Sequence, residues 1–344
     1  MIGGKAGRVA LTLLLGLGGA AVATLLGLPA AALIGAALVT SIAAWSGATL
    51  AMDTRLRDAG FLVIGLSLGS GFDGGVLGEA GTFALSLGAL CLSVLLTLGL
   101  GVWLLRTVFR YDTDTAVLAS SPGTMSLALS IAAEGRGRAE DILVMQSMRL
   151  LVIAAVLPLS LRGFGGTPFE IEPGPVFGLP ALVILAALGV GAALVLKRTA
   201  FPAAYLLGGM AVSAVAHVTG LVHGYPPDWL LFAGFTITGS VIGSRFTGIG
   251  IRRLLRHTGA TAVVVGTAIG VSAVAAVLVS QALNLPLGQV WIAFAPGGVE
   301  AMAAIGLALG YDPAYVALHH LVRISLLALL IPFLTKSRRT PPPQ

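Results

Sequence analysis

The chain has 344 residues, of which 57% are hydrophobic and 10% charged, with a formal net charge of +6. Soluble domains carry roughly 45–50% apolar and about 25% charged residues, so this composition, with a mean hydropathy of +0.99, excludes a soluble enzyme, a nucleic-acid module and a disulfide scaffold. The apolar residues run unbroken instead of alternating, which argues against a β-barrel and leaves helices as the spanning elements.

The amino end places Lys5 and Arg8 before an apolar run at 11–28, the pattern of a secretory signal. The rest of the chain is equally apolar and the segment recurs later, so it reads as a retained first helix. In chain order, helices are expected near 9–27, 30–50, 59–77 and 82–105. An interrupted segment follows at 113–134, then a helix at 140–161. A Pro/Gly-rich stretch at 162–180 precedes helices near 181–196, 202–220, 229–246 and 259–282, a second interrupted segment at 288–309, and a helix at 313–334. The basic tail ends in three prolines and reads as disordered. Cys91 sits in an apolar run as a packing residue.

The two halves match. Ser121-Pro122-Gly123 aligns with Ala295-Pro296-Gly297 at an offset of 174 residues (296 against 122). The same offset carries Arg149 onto Arg323, Pro158 onto Pro332, and Gly65, Gly69, Ser70 and Phe72 onto Gly239, Gly243, Ser244 and Phe246. Leu28-Pro29-Ala30-Ala31 matches Phe201-Pro202-Ala203-Ala204 one residue out of that register. The expected organisation is a first membrane repeat at 1–162, a periplasmic linker at 163–180, a second repeat at 181–335 and a cytoplasmic tail at 336–344.

Charge sets the orientation. If each interrupted segment enters and leaves on one side, 16 of the 20 basic residues fall on the cytoplasmic side, as the positive-inside rule requires. The other four are Arg149, Arg245 and Arg323 within helices and Arg162 outside. The cluster Arg252, Arg253 and Arg256 then reads as a cytoplasmic loop. Each half becomes five transmembrane helices plus one re-entrant hairpin, and an odd number of crossings inverts the second half. The expected fold class is therefore all-α integral membrane with two inverted repeats. Both termini are expected inside, in a multi-pass membrane protein. Inverted repeats are characteristic of many secondary transporters.

Pro122 lacks an amide proton and Gly123 frees the backbone, so the helix breaks there, as it does at Pro296-Gly297-Gly298. An ordinary proline kink is the alternative reading. Arg149 and Arg323 each follow a Pro-Gly by 27 residues and lie roughly 15 Å along their helices. A charge at that depth costs at least about 2.5–3.5 kcal/mol. Such arginines either satisfy hairpin carbonyls or pair with a carboxylate, or they bind an anion together with the helix amino ends. Gln146 and His320 are equivalent positions one turn before them. Glu300, equivalent to Ser126, would balance an arginine or carry a coupled proton. His319 faces elsewhere as a packing or interhelical partner. The candidate substrate-binding set is Ser121, Pro122, Gly123, Gln146, Arg149, Pro296, Gly297, Gly298, Glu300, His320 and Arg323. The GxxxG pairs and the Asp312-Pro313 cap read as structural, and Arg245 as snorkelling. No phosphate-binding GxxxxGK[ST] loop occurs, and the five histidines form no metal-ligand spacing. No catalytic residue, cofactor or metal is expected.

The second-half motifs Ala295-Pro296-Gly297-Gly298-Val299-Glu300-Ala301-Met302, Gly310-Tyr311-Asp312-Pro313 and His319-His320-Leu321-Val322-Arg323 resemble the AbrB-type bacterial membrane protein family. They are echoed by Ser121-Pro122-Gly123-Thr124-Met125-Ser126 and Gln146-Ser147-Met148-Arg149. The resemblance implies an internally duplicated inner-membrane protein, labelled a regulator of gene expression or an ammonia monooxygenase. A monooxygenase would need copper or iron, for which the histidine pattern offers no site. The residues favour a secondary transporter or exporter of a small organic anion, with a membrane-bound regulator of gene expression as the alternative. The expected partners are the bilayer and a small anionic metabolite, not nucleic acid, with a homo-oligomer left open.

Overall fold

Among the described residues, helices break where proline, glycine or a polar link interrupts the apolar runs. The computed structural model describes residues 4–72, 80–123, 125–161, 175–198 and 203–335. The first half holds α1 (Lys5–Leu25), α2 (Ala31–Trp45), α3 (Thr54–Ser70), α4 (Ala80–Thr107), α5 (Thr113–Ser120), α6 (Met125–Ala133) and α7 (Ala139–Leu161). The second half repeats the order as α8 (Leu179–Arg198), α9 (Ala204–Val218), α10 (Asp228–Ser244), α11 (Ile251–Leu283), α12 (Leu287–Phe294), α13 (Val299–Ala308) and α14 (Pro313–Leu334). Most of the expected linker (163–174), with Glu170 and Glu172, the basic tail, Arg162, Thr124 and Phe201-Pro202 lie outside the described residues.

Six helices, α1, α4, α7, α8, α11 and α14, are long and apolar enough to cross a bilayer, which fits a helical membrane protein. The remaining expected crossings, α2, α3, α9 and α10, have 15 or 17 residues, or roughly 22–26 Å of helix. Two expectations change. The helix expected at 30–50 stops at Trp45. The Arg252, Arg253 and Arg256 cluster is not a loop but the opening turns of α11, which runs 33 residues from Gly250 as its N-cap. Nothing in 251–258 breaks a helix, and arginine and leucine favour one.

The packing follows the duplication. Helices α1–α3 and α8–α10 form one group, in which α3 packs on α9 and α10 packs on α2. Helices α4–α7 and α11–α14 form the other, with α4 against α11, α5 against α7 and α12 against α14. Any side chain on Gly65 would overlap the Leu206 carbonyl, and any on Gly239 the Leu33 carbonyl, so these glycines set equivalent close approaches. The short helices α2 and α9 even share an unusual start: Ala30 and Ala203 both adopt the left-handed backbone, with φ of 48° and 53°.

Both interrupted segments are hairpins. At the first, Arg138 reaches Asp112 at 3.5 Å and its amide donates to Thr115 Oγ1 at 2.8 Å. At the second, the Asp312 amide donates to Gln289 Oε1 at 3.4 Å, and Thr115 and Gln289 are equivalent positions. The arms, of 8 and 9 residues and of 8 and 10, extend roughly 12–15 Å. Each hairpin therefore brings its Pro-Gly break into the interior and returns the chain to where it entered.

Candidate functional site

The broken helices leave carbonyl groups without intrahelical partners, and the two buried arginines meet them. Arg149 Nη1 donates to the Ala119 carbonyl at 3.1 Å and Nη2 to the Ser121 carbonyl at 2.9 Å. Arg323 Nη1 donates to the Ala295 carbonyl, the equivalent of Ser121, and Nη2 to the Gly297 carbonyl at 2.5 Å. The second guanidinium is thus shifted one carbonyl pair toward its tip. Arg149 and Arg323 are 2% and 1% exposed, so neither faces lipid. Among the described residues neither lies within 4.0 Å of a carboxylate. The Nε of each is buried without a hydrogen-bond partner.

The tips face one another. Gly123 has φ +79°, a conformation open to glycine, and a methyl group added there would sit 3.2 Å from the Gly297 carbonyl oxygen and 3.5 Å from Arg323 Nη2. Arg323 Nη2, which holds the second hairpin, thus lies at the tip of the first. Pro122, Pro296, Gly297 and Gly298 are buried beside them. Gly298 caps α13 without a side chain, so the first-turn amides of α13 have no intrahelical acceptor.

Gln146 Nε2 donates to the Leu118 carbonyl at 2.6 Å. The ring of His320, at the equivalent position, faces the Ile292 carbonyl, the equivalent of Leu118, though without a hydrogen bond of regular geometry. Gln146 and His320 thus serve the same carbonyl in their respective hairpins.

Glu300 acts on an arginine other than the two at the tips. Its carboxylate lies over Gly298, where an added methyl would meet Oε2 at 3.4 Å, and its field falls on Arg245 at the end of α10. It forms no ion pair with Arg149 or Arg323.

Two polar clusters went unseen in the sequence. Ser86 on α4 bonds both Tyr315 Oη and His319 Nε2, the latter at 2.8 Å, while His319 Nδ1 holds the Tyr315 carbonyl at 2.7 Å. This makes His319 the interhelical partner its position implied and fixes Nδ1 as the protonated nitrogen. At the far end of the hairpin, His257 binds Asp141 at 3.2 Å and Tyr111 Oη at 2.8 Å. Nothing local to either cluster reveals it, because Ser86 lies more than two hundred residues from Tyr315 and His319, and His257 more than a hundred from Tyr111 and Asp141. Among the described residues no group of three metal-binding side chains occurs.

The family profile described as "Transition state regulatory protein AbrB" matches residues 32–338. The chain is 26% identical to "Uncharacterized protein YhjN" of Bacillus subtilis (strain 168) over 313 residues, covering 82% of this chain and 78% of that one. It is 24% identical to "Putative regulator AbrB" of Escherichia coli (strain K12) over 303 residues, covering 86% of each.

Proposed function

The chain belongs to the AbrB family, and from that premise we propose that it is an inner-membrane secondary transporter of a small organic anion, bound between the two hairpin tips. The observation that carries this is the pair of buried guanidinium groups at facing tips, with no carboxylate within 4.0 Å of either among the described residues. The Nη atoms are occupied by carbonyls, so the donors that remain for an anion are the two Nε–H groups and the first-turn amides of α13. Carbonyl dipoles offset part of the charge. Two positive charges held together in a low-dielectric interior still favour an anion as the remaining counter-charge. In this conformation Ser121, Gln146, Arg149, His320 and Arg323 are all 2% exposed or less, which corresponds to the occluded state of such a carrier.

The topology we propose has ten crossings, both termini cytoplasmic, and hairpins entering from opposite faces. Because both interrupted segments turn back, each half crosses an odd number of times, so the halves are inverted. Ion pairs tie together helix ends that this topology puts on the same face: Lys5 with Asp53, Lys197 with Asp58, and Arg253 with Glu140. No catalytic step, cofactor or nucleic acid enters this reading. The relative named a putative regulator favours a second role, in which the protein affects gene expression through the anion it moves.

Two measurements test the proposal. Reporter fusions after Gly166 and Lys336 should read periplasmic and cytoplasmic respectively; a cytoplasmic Gly166 overturns the inverted arrangement. Thermal stability of the purified protein with acetate, lactate, succinate, citrate and benzoate should rise with at least one of them, by mass action. The Arg149→Lys/Arg323→Lys variant should lose that response, since lysine keeps the charge but has no Nε–H in the fork. A response unchanged in the variant places the anion elsewhere.

A further inference from the structure

We propose that the groove at the end of α4, between Trp103, Arg106, Arg110 and Tyr111, binds the phosphodiester head group of an anionic phospholipid. This inference needs only that the helices stand in a bilayer; it does not depend on the transport reading.

The groove has a volume of about 540 Å³ and is also lined by Gly99 and Thr107. Arg106 lies in the last turn of α4 and Arg110 just beyond it, four residues on, and both are exposed. Neither has an ion-pair partner among the described residues, whereas their neighbours do. Arg138 pairs with Asp112 and Asp141, and Arg253 with Glu140. Asp112, Asp141 and Glu140 are thus engaged with other arginines, and Arg106 and Arg110 are left for an external anion. Guanidinium forks suit phosphate oxygens.

Arg110 provides a second, independent observation. Its φ is +56°, the left-handed conformation that glycine usually supplies just after a helix. There it lets the Tyr111 amide reach back to the Leu105 carbonyl at 2.9 Å. Glycine would close this helix with less strain. An arginine kept at a strained position points to a use for its side chain.

The walls are set for a lipid and not for a free phosphate. Tyr111 is held by His257 through its hydroxyl and by the Arg138 guanidinium 4.8 Å from its ring centroid. Trp103 is 59% exposed, and Leu92, Leu96 and Leu100 continue its stripe along α4 at 60%, 49% and 40%. Their spacing of three to four residues puts them on one helical face. An acyl chain can lie along that stripe while Trp103 sits at the interface and the arginines take the phosphate.

The test uses the full chain in detergent. Heated samples are passed over size-exclusion chromatography, and the surviving fraction is followed against added phosphatidylglycerol, phosphatidylcholine or soluble glycerol 3-phosphate. Phosphatidylglycerol should raise the melting temperature saturably, and the other two should not. Arg110→Gly should melt at or above the wild-type temperature without lipid, yet need about tenfold more phosphatidylglycerol for half its effect, from loss of one charge-assisted contact. Arg106→Gln should show the same lipid defect, and Arg252→Gln/Arg256→Gln should not. Equal stabilisation by phosphatidylcholine or by glycerol 3-phosphate overturns the proposal. So does an Arg110→Gly protein with wild-type lipid response, or a defect of equal size in the α11 double variant, which would show a diffuse field and no groove.

Discussion

Replacing Arg323 by lysine isolates what its guanidinium fork does. Lysine keeps the buried positive charge, so the desolvation cost is common to both proteins. What changes is reach: a single ammonium cannot bridge the Ala295 and Gly297 carbonyls that Nη1 and Nη2 now hold. One charge-assisted hydrogen bond of about 1.5–3 kcal/mol is lost, which is about a 13- to 160-fold fall in the folded-to-unfolded ratio. On the scaling of soluble domains this is roughly 3–12 °C in melting temperature. Arg323→Met behaves differently. It orphans both carbonyls, at about 1–3 kcal/mol each, but it also removes a charge whose insertion costs about 2.5–3.5 kcal/mol. These terms nearly cancel, so the methionine variant should melt no lower than the lysine variant. Heating in detergent followed by size-exclusion chromatography reads both. Arg149→Lys should lose a similar amount, since its fork holds the Ala119 and Ser121 carbonyls. The double lysine variant should depart from additivity because the tips touch. A wild-type melting temperature for Arg323→Lys, or a methionine variant far below it, would refute the view that the fork closes the broken helix.

Three further outcomes follow from the geometry, each read by the same melting assay. Gly123→Ala should destabilise by about 1–3 kcal/mol, because a side chain at φ +79° is strained and its methyl meets the Gly297 carbonyl at 3.2 Å. Ser86→Ala should cost more than Tyr315→Phe. The first orphans both Tyr315 Oη and His319 Nε2 in a buried setting, while the second leaves the Ser86–His319 bond of 2.8 Å intact. The last outcome concerns acid. Burial pushes the Asp112 carboxyl up, but hydrogen bonds from Thr115 and the Arg138 charge outweigh it and hold the group below the usual carboxylate range. A lowered folded-state value stabilises fully above the ordinary aspartate range of about 3.9 and is lost as pH falls through the lowered value. Asp112→Asn should therefore flatten the acid limb of a stability–pH curve, and an unchanged limb would show that the capping bonds contribute nothing there.

The class of the protein, its duplication and the position of both helix breaks were legible in the residues. The reason is that each is a one-dimensional signal. Unbroken apolar runs demand helices in a bilayer, proline and glycine interrupt them wherever they stand, and Pro122/Pro296 and Arg149/Arg323 share one offset however the chain folds. Asp312 capping α14 is equally local, with its carboxylate accepting from the Ala314 and Tyr315 amides. Side-chain partners were not legible. Residue type placed a guanidinium near each tip, but only the packing of α7 on α5 and of α14 on α12 decided that its Nη atoms meet carbonyls and its Nε does not. Glu300 looked like the natural counter-charge by sequence distance, yet it forms no ion pair with either tip arginine, and its field falls on Arg245. The Ser86–Tyr315–His319 and Tyr111–His257–Asp141 clusters join helices far apart in the chain. Their energies depend on separations of a few ångströms that no spacing in the sequence encodes, so the tertiary structure alone brought them together.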